Sequence, residues 1–459
     1  MMMNVIITIL ILIRLYLKKI GRYKREIILI VLQLCGPYVG VLGLILASFY
    51  SFYIISFKAR IDILQIFLLL IPVIVLRSSS FEINSIETVE NFTWFKFNIP
   101  ILVNSVLIGP LNVSVKLAMA FGVFVRLILT IKKQKNIFLF FIWIICLLIS
   151  IYGLYISLST GLESSGGLTV GLRMVLSIGA ILIPLSVSSK TNLIYDIIII
   201  TKISLIIFLF GFMTNHWFFI FPCLLPFLYT SQTNKMWKFL SVLVSLMLLI
   251  MDYSFTVKIT VMLSWILIYI NNNKFLFKKL YNYKFSKIVF FVSPILIVFY
   301  AINDTSLFSL SNDDGIVNYF LFKFFADRGA LWFFVTNLIL SSDFWVVPAG
   351  RDILLSGSVY GDVFWGAGAH NIYLEMARQL GLFVTMLLTV IMSITILKII
   401  KFTNKKNHLG KLGLVFAGVY LVFGLTGNSL VYDGVGFFYW LIISSIYKIH
   451  EDFTPISSK

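Results

Sequence analysis

Apolar runs of about 15 to 22 residues recur along the whole chain, separated by short basic loops, and a helix of that length is what crossing a bilayer requires. This pattern narrows the possible folds more than any single motif. Only 12% of the 459 residues are charged, whereas 60% are hydrophobic. A soluble domain carries roughly 25% charged residues, so this chain cannot clothe a water-facing surface. In hydrocarbon every backbone N–H and C=O must be bonded within its own element, which leaves helices or closed barrels. Barrel strands alternate apolar and polar positions, and these runs do not. The expected architecture is all-α: a polytopic transmembrane helical bundle of about 12–14 spans with one large extracytoplasmic loop.

The formal net charge of +18 does not point to nucleic acid, because the basic residues are bunched in short loops between apolar runs, as the positive-inside bias predicts for cytoplasmic loops. Cys35, Cys146 and Cys223 each fall inside an apolar run and read as small buried hydrophobes, without metal-ligand spacing or a disulfide framework. Met1 to Leu17 is apolar and is followed by Lys18, Lys19, Arg22, Lys24 and Arg25. A cleavable signal places its charges first, so this reads as an uncleaved first segment.

From about residue 130 the loops alternate in character. Lys132, Lys133 and Lys135 mark an inside loop. Asn136 to Leu158 leads out to the turn at 161–167, and Leu168 to Val187 returns to Lys190. Asn192 to Gly211 exits to Thr214, Asn215 and His216, and Trp217 to Tyr229 comes back to Lys235 and Lys238. The run ending at Met251 exits to Asp252 and Tyr253, and Phe255 to Ile270 returns. The next loop, 271–287, holds Lys274, Lys278, Lys279, Lys284 and Lys287 and no acid, the strongest inside marker in the chain. Three divisions follow: membrane helices over 1–302, a large outer loop over 303–380, and further membrane helices over 381–459. In the first 130 residues Pro100, Pro110, Lys116 and Arg126 interrupt the pattern and leave the span count there open.

The outer segment carries eight acids (Asp304, Asp313, Asp314, Asp327, Asp343, Asp352, Asp362, Glu375) against four bases (Lys323, Arg328, Arg351, Arg378), the opposite bias from the lysine loop. Long loops concentrate function. Within it Ala330 to Leu340 is apolar but too short to span. It is expected to lie along the membrane face, with Trp332 and Trp345 at headgroup depth.

The order of short motifs here is Asp327-Arg328-Gly329-Ala330-Leu331-Trp332, then Pro348-Ala349-Gly350, then His370-Asn371-Ile372-Tyr373-Leu374-Glu375, then Gly381. In these residues the chain resembles the superfamily of O-antigen polymerases and O-antigen ligases. Its marks are an Arg-x-x-Leu-Trp run opening a large periplasmic loop, a mid-loop Pro-x-Gly, and His-Asn-x-Tyr-Leu before the next span. The resemblance implies a glycosyltransferase of the bacterial inner membrane acting on a polyprenyl-pyrophosphate-linked oligosaccharide and releasing the lipid pyrophosphate. It also implies contact with membrane lipid and a separate chain-length regulator as partner. Neither nucleic acid, a cofactor nor a metal is expected.

That chemistry calls for cations near the outer face to hold and neutralise pyrophosphate, and for a base that works near pH 7. Arg328, on the motif arginine, and His370, on the motif histidine, are the candidate catalytic residues. A loop arginine paired with Asp327 and a hydrogen-bonded structural histidine are the plain alternatives. Arg173, Lys258, Asp327, Asn371 and Tyr373 are candidates for substrate binding. Lys258 stands where the family has a Ser-Arg pair, and a lysine holds phosphate as a point charge rather than bidentately. Asp327 replaces a frequent glycine and would orient Arg328 or offer an alternative base. Asn371 and Tyr373 fit bracing of the loop as well as chemistry. The motifs do not separate a repeat-unit polymerase of O-antigen, capsule or exopolysaccharide from a ligase that moves finished glycan onto the lipid A core of lipopolysaccharide. A flippase for lipid-linked sugars also has many spans, but short loops and repeated halves would be expected of it.

Overall fold

The computed structural model describes residues 23–34, 37–58, 61–75, 79–81, 103–108, 111–133, 136–160, 165–183, 190–209, 220–250, 255–273, 328–340, 370–402, 408–427, 430–431 and 435–453. The apolar segment 1–22, Cys35, His216, the loop from 274 onward, Asp327, and Trp345 with Pro348 to Gly350 lie outside them. The described residues are overwhelmingly helical. Among the described residues two helices, over Val39–Phe57 and Ile372–Ile400, are long and apolar enough to cross a membrane. Shorter apolar helices include Ile137–Gly153, Thr256–Asn272 and Gly436–Ile449.

Packing divides the chain into two units. One comprises Met1–Lys133, Ile183–Met247 and Asp433–Lys459, and the other Gln134–Leu182 and Leu248–Tyr432. The divisions at 302 and 380 concern sides of a bilayer, a separate matter from packing.

In the first unit α1 (Lys24–Leu34) and α2 (Pro37–Phe57) form an antiparallel pair. A Cβ added at Gly40 would stand 3.1 Å from the Gln33 carbonyl oxygen, while further along Tyr50 donates to Glu26 Oε1 at 2.9 Å. Next come α3 (Ile63–Val75), a small sheet, and α4 (Val115–Leu129). The sheet joins β1 (Ser79–Phe81) in parallel to β2 (Val103–Ile108), and β2 in antiparallel to β3 (Leu111–Val113). It lies in the stretch where the apolar pattern is interrupted. The β-branched residues of 103–113 favour strand over helix, and Gly109 with Pro110, between Ile108 and Leu111, is tight-turn composition.

Helix α4 runs parallel to α2: Gly122 is backed by Phe52 and Ile55, and Arg126 reaches the carbonyl oxygens of Ile55 (3.0 Å) and Lys58 (2.9 Å). The last carbonyls of a helix have no partner within it, and the buried Arg126 supplies donors for those of α2. This cation, whose depth the sequence left open, is a helix cap. Beneath the same end of α2, Lys58 donates to Gln65, Gln65 donates to Glu26, and Tyr23 donates to Asp62. The unit also holds α7 (Lys190–Leu209), α8 (Phe221–Ser231) and α14 (Val435–Phe453). Phe67 meets Phe438 at 6.0 Å, and Lys202 lies 5.0 Å over the Trp237 ring of α9 (Lys235–Ile250).

The second unit is built on α5 (Ile137–Thr160), α6 (Ser165–Ile178), α10 (Phe255–Asn272), α11 (Arg328–Leu340), α12 (Ile372–Phe402) and α13 (His408–Thr426). Trp143 of α5 donates to the Val175 carbonyl at 2.8 Å. Its ring fills the space over Gly179, where an added Cβ would stand 2.8 Å from the indole nitrogen. Cys146 and Cys223 are both buried.

These helices are apolar on both faces. Outward from α2 point Leu42, Phe49 (70% exposed) and Tyr53. From α5 point Phe138 (66% exposed), Phe141, Leu148 and Tyr155. Meanwhile hydroxyls such as Ser51, Ser150, Thr260 and Thr385 turn inward and donate to the carbonyl four residues back. Contiguous outward apolar faces of this kind are foreign to a surface built for water.

Candidate functional site

Just ahead of the Asn371 that precedes α12 stands the only non-glycine with positive φ among the described residues: His370, at φ 48°. L-residues enter this left-handed region at a cost of about 1–2 kcal/mol, histidine more readily than most. The twist turns the chain into the helix and leaves the imidazole exposed. Asn371 follows as N-cap and is fully buried. Its Oδ1 accepts from the backbone N–H of Tyr373 (2.9 Å) and Leu374 (3.1 Å), and its own carbonyl accepts from Glu375 N–H at 2.9 Å. Asparagine is among the best residues for this position because its short side chain satisfies the orphan donors of the first turn.

Helix α12 has two limbs. Gly381, at φ 74° and ψ 164°, breaks the helical run, a backbone conformation open in practice to glycine alone. The first limb, 372–380, is amphipathic. On one side Leu374 and Ala377, with Leu382 just past the break, pack against Leu331, Val335 and Ile339 of α11. The four-residue spacing of those three places them on one stripe of α11. On another side Tyr373 donates to Tyr420 of α13 at 3.2 Å, and Gly424 makes room for the Tyr373 ring, 3.3 Å from where a Cβ would lie.

The third side is polar and buried. Glu375 and Arg378 form an ion pair at 2.6 Å, with the carboxylate fully covered. The Nδ2 of Asn371 and the Oε1 of Gln379 are covered and have no hydrogen-bond partner. Neither Glu375, Arg378 nor Gln379 is among the site residues expected from sequence, although the signal was present. Polar residues at 371, 375, 378 and 379 recur at helical spacing in an otherwise apolar stretch.

The structure thus brings the two strongest motifs together. Arg328 opens α11 one turn before Leu331, and Leu331 belongs to the cluster that seats α11 on the His370–Tyr373 end of α12. Trp332, expected at headgroup depth, is fully buried by protein. Arg173 is on α6, whose Gly171 abuts the Gln379 carbonyl and Leu380. Two residues correspond to about 200° of helix, so Arg173 points away from that contact. Lys258 is half-buried on α10, which packs against α13 through Leu263, Leu267 and Gly418. Asp327 lies outside the described residues, so its expected role in orienting Arg328 has no structural counterpart here. No group of three or more His, Cys, Asp or Glu side chains able to hold a metal occurs among the described residues. Compared with protein-family models, curated proteins and solved structures, the chain has no match.

Proposed function

We propose that this chain is a multi-pass glycosyltransferase of the bacterial inner membrane that polymerises lipid-linked repeat units of O-antigen or a related surface polysaccharide on the outer membrane face. Glycan is transferred from a polyprenyl-pyrophosphate donor to a lipid-linked acceptor. The outward apolar faces of α2 and α5 support a lipid-facing bundle, and the alternation of loops supports many crossings. The observation that carries the reading is the packing of Leu331, Val335 and Ile339 against Leu374 and Ala377. Motifs about 40 residues apart in sequence are held side by side at one end of α12 by a hydrophobic seam.

In this reading the exposed His370 takes the proton of the acceptor hydroxyl, as an imidazole can near neutral pH. Arg328 neutralises the pyrophosphate as it leaves, through donors suited to phosphate. Loop alternation sends α10 inward and α13 outward, so Lys258 falls at the Thr426 end of α13, level with the Tyr373–Gly424 contact, and supplies a second cation. Asn371 and Tyr373 fix the first turn of α12 rather than reacting.

The test is deletion of the gene in its host, with the surface polysaccharide resolved on a gel and Arg328→Ala and His370→Ala complements alongside. Core bearing one repeat and no ladder is the expected result, with both variants present in the membrane and failing to restore the ladder. Long polymer accumulating on its lipid carrier would make the protein a ligase. Single lipid-linked units trapped on the inner side would refute both enzyme readings in favour of a flippase.

A further inference from the structure

The buried polar side of α12's first limb carries an acid and a base that pair with each other, and it is incompletely bonded. Counting about 100° per residue, Asn371, Glu375, Arg378 and Gln379 fall within roughly one third of the helix circumference. All four are at least nine-tenths buried. Asn371 Oδ1 is committed to the cap, which fixes the orientation of the amide and makes Nδ2 an open donor. Gln379 Oε1, about 12 Å further along the axis at 1.5 Å per residue, is an open acceptor. Between them Glu375 and Arg378 cancel each other's charge.

A buried polar group left unmet is costly, and the character of the unmet pair selects among ligands. Phosphate only accepts hydrogen bonds, so it would leave Gln379 Oε1 empty. A hydroxyl both donates and accepts, and a sugar presents several along its length. We propose that Asn371, Glu375, Arg378 and Gln379 form one stripe that binds the neutral, hydroxyl-bearing sugar portion of the substrate, while the phosphate is held by cations elsewhere. The proposal rests on the glycan-transfer reading above, and it divides the substrate between two recognition surfaces.

The test uses the purified full-length protein in detergent with two separate probes: neutral oligosaccharide released from the host's surface polymer, and inorganic pyrophosphate. Gln379→Met keeps the side-chain volume and removes the open acceptor. Asn371→Asp keeps the capping oxygen and removes the open donor. The native protein binds both probes. Gln379→Met is at least as heat-stable as the native protein, because an unmet polar atom has been removed. It loses about tenfold or more in oligosaccharide affinity and keeps its pyrophosphate affinity within about twofold, and Asn371→Asp behaves likewise towards the two probes. Unchanged oligosaccharide affinity in Gln379→Met would mean that buried water alone fills the stripe, and the proposal fails. It fails equally if Gln379→Met is less stable than the native protein, or if native protein binds pyrophosphate but no oligosaccharide. Binding of neither probe by the native protein would instead overturn the glycan-transfer reading.

Discussion

Replacing Arg378 by Met removes the guanidinium that lies 2.6 Å from Glu375 while preserving most of the volume of the side chain. The carboxylate left behind is fully covered by protein. Breaking a buried pair from one side costs about 3–5 kcal/mol, because the remaining charge has lost the opposite charge that offset its desolvation. Removing both charges, with Glu375→Met and Arg378→Met together, is about neutral or stabilising by up to ~4 kcal/mol, since neither group then needs desolvation. Taking about 2–4 °C per kcal/mol for a unit of this size, Arg378→Met alone lowers the melting point by on the order of 10 °C. The double variant melts at about the native temperature or above it. The assay is the fraction of protein remaining monodisperse in detergent after heating, followed by fluorescence on a sizing column. If Arg378→Met melts with the native protein, or if the double variant falls as far as the single one, the carboxylate is not held by this pair and the account of the stripe is wrong.

Three further outcomes follow from the geometry. Gly381→Ala forces a Cβ into a conformation that costs about 1–3 kcal/mol; relief by straightening α12 misplaces its first limb, so polymer ladders shorten or vanish while protein level in the membrane holds. Arg126→Met strips the donors from the Ile55 and Lys58 carbonyls and lowers thermal stability by about 2–4 kcal/mol, at about 1.5–3 per charged hydrogen bond less what water recovers. Its effect appears in melting before any loss of activity in surviving protein. Tyr373→Phe removes the 3.2 Å bond to Tyr420 and costs about 1 kcal/mol; a complete loss of ladder from this change would mean that the hydroxyl meets substrate rather than bracing α13.

Helix positions were legible because apolar length is a one-dimensional property. The runs at 136–158, 192–211 and 255–270 correspond to α5, α7 and α10 with ends shifted by a few residues. The sheet at 79–113 was not legible, since its short strands are too brief for a period to register. Arg126 reads from sequence only as a charge that interrupts an apolar run, and tertiary structure shows that it completes α2. At the site, His370 and Asn371 could be singled out as motif residues. That His370 is twisted into the left-handed region and that Asn371 spends one side of its amide on a cap depend on the backbone. Glu375 and Arg378 counted merely as loop charges until α12 was seen to begin before them, which turned an acid and a base three residues apart into a buried pair. The opposite face of α6 from Gly171 is equally invisible in sequence, and it separates Arg173 from the α12 contact.

Helices α2 and α4 lie side by side and point the same way, with Arg126 tying the end of one to the end of the other. The chain must therefore double back between them, and Lys58 and the Lys132–Lys133 pair emerge at a common end. In a sealed vesicle a protease or amine-reactive dye confined to one compartment meets both sites or neither. Orientation of the whole segment can then be read from a single modified lysine.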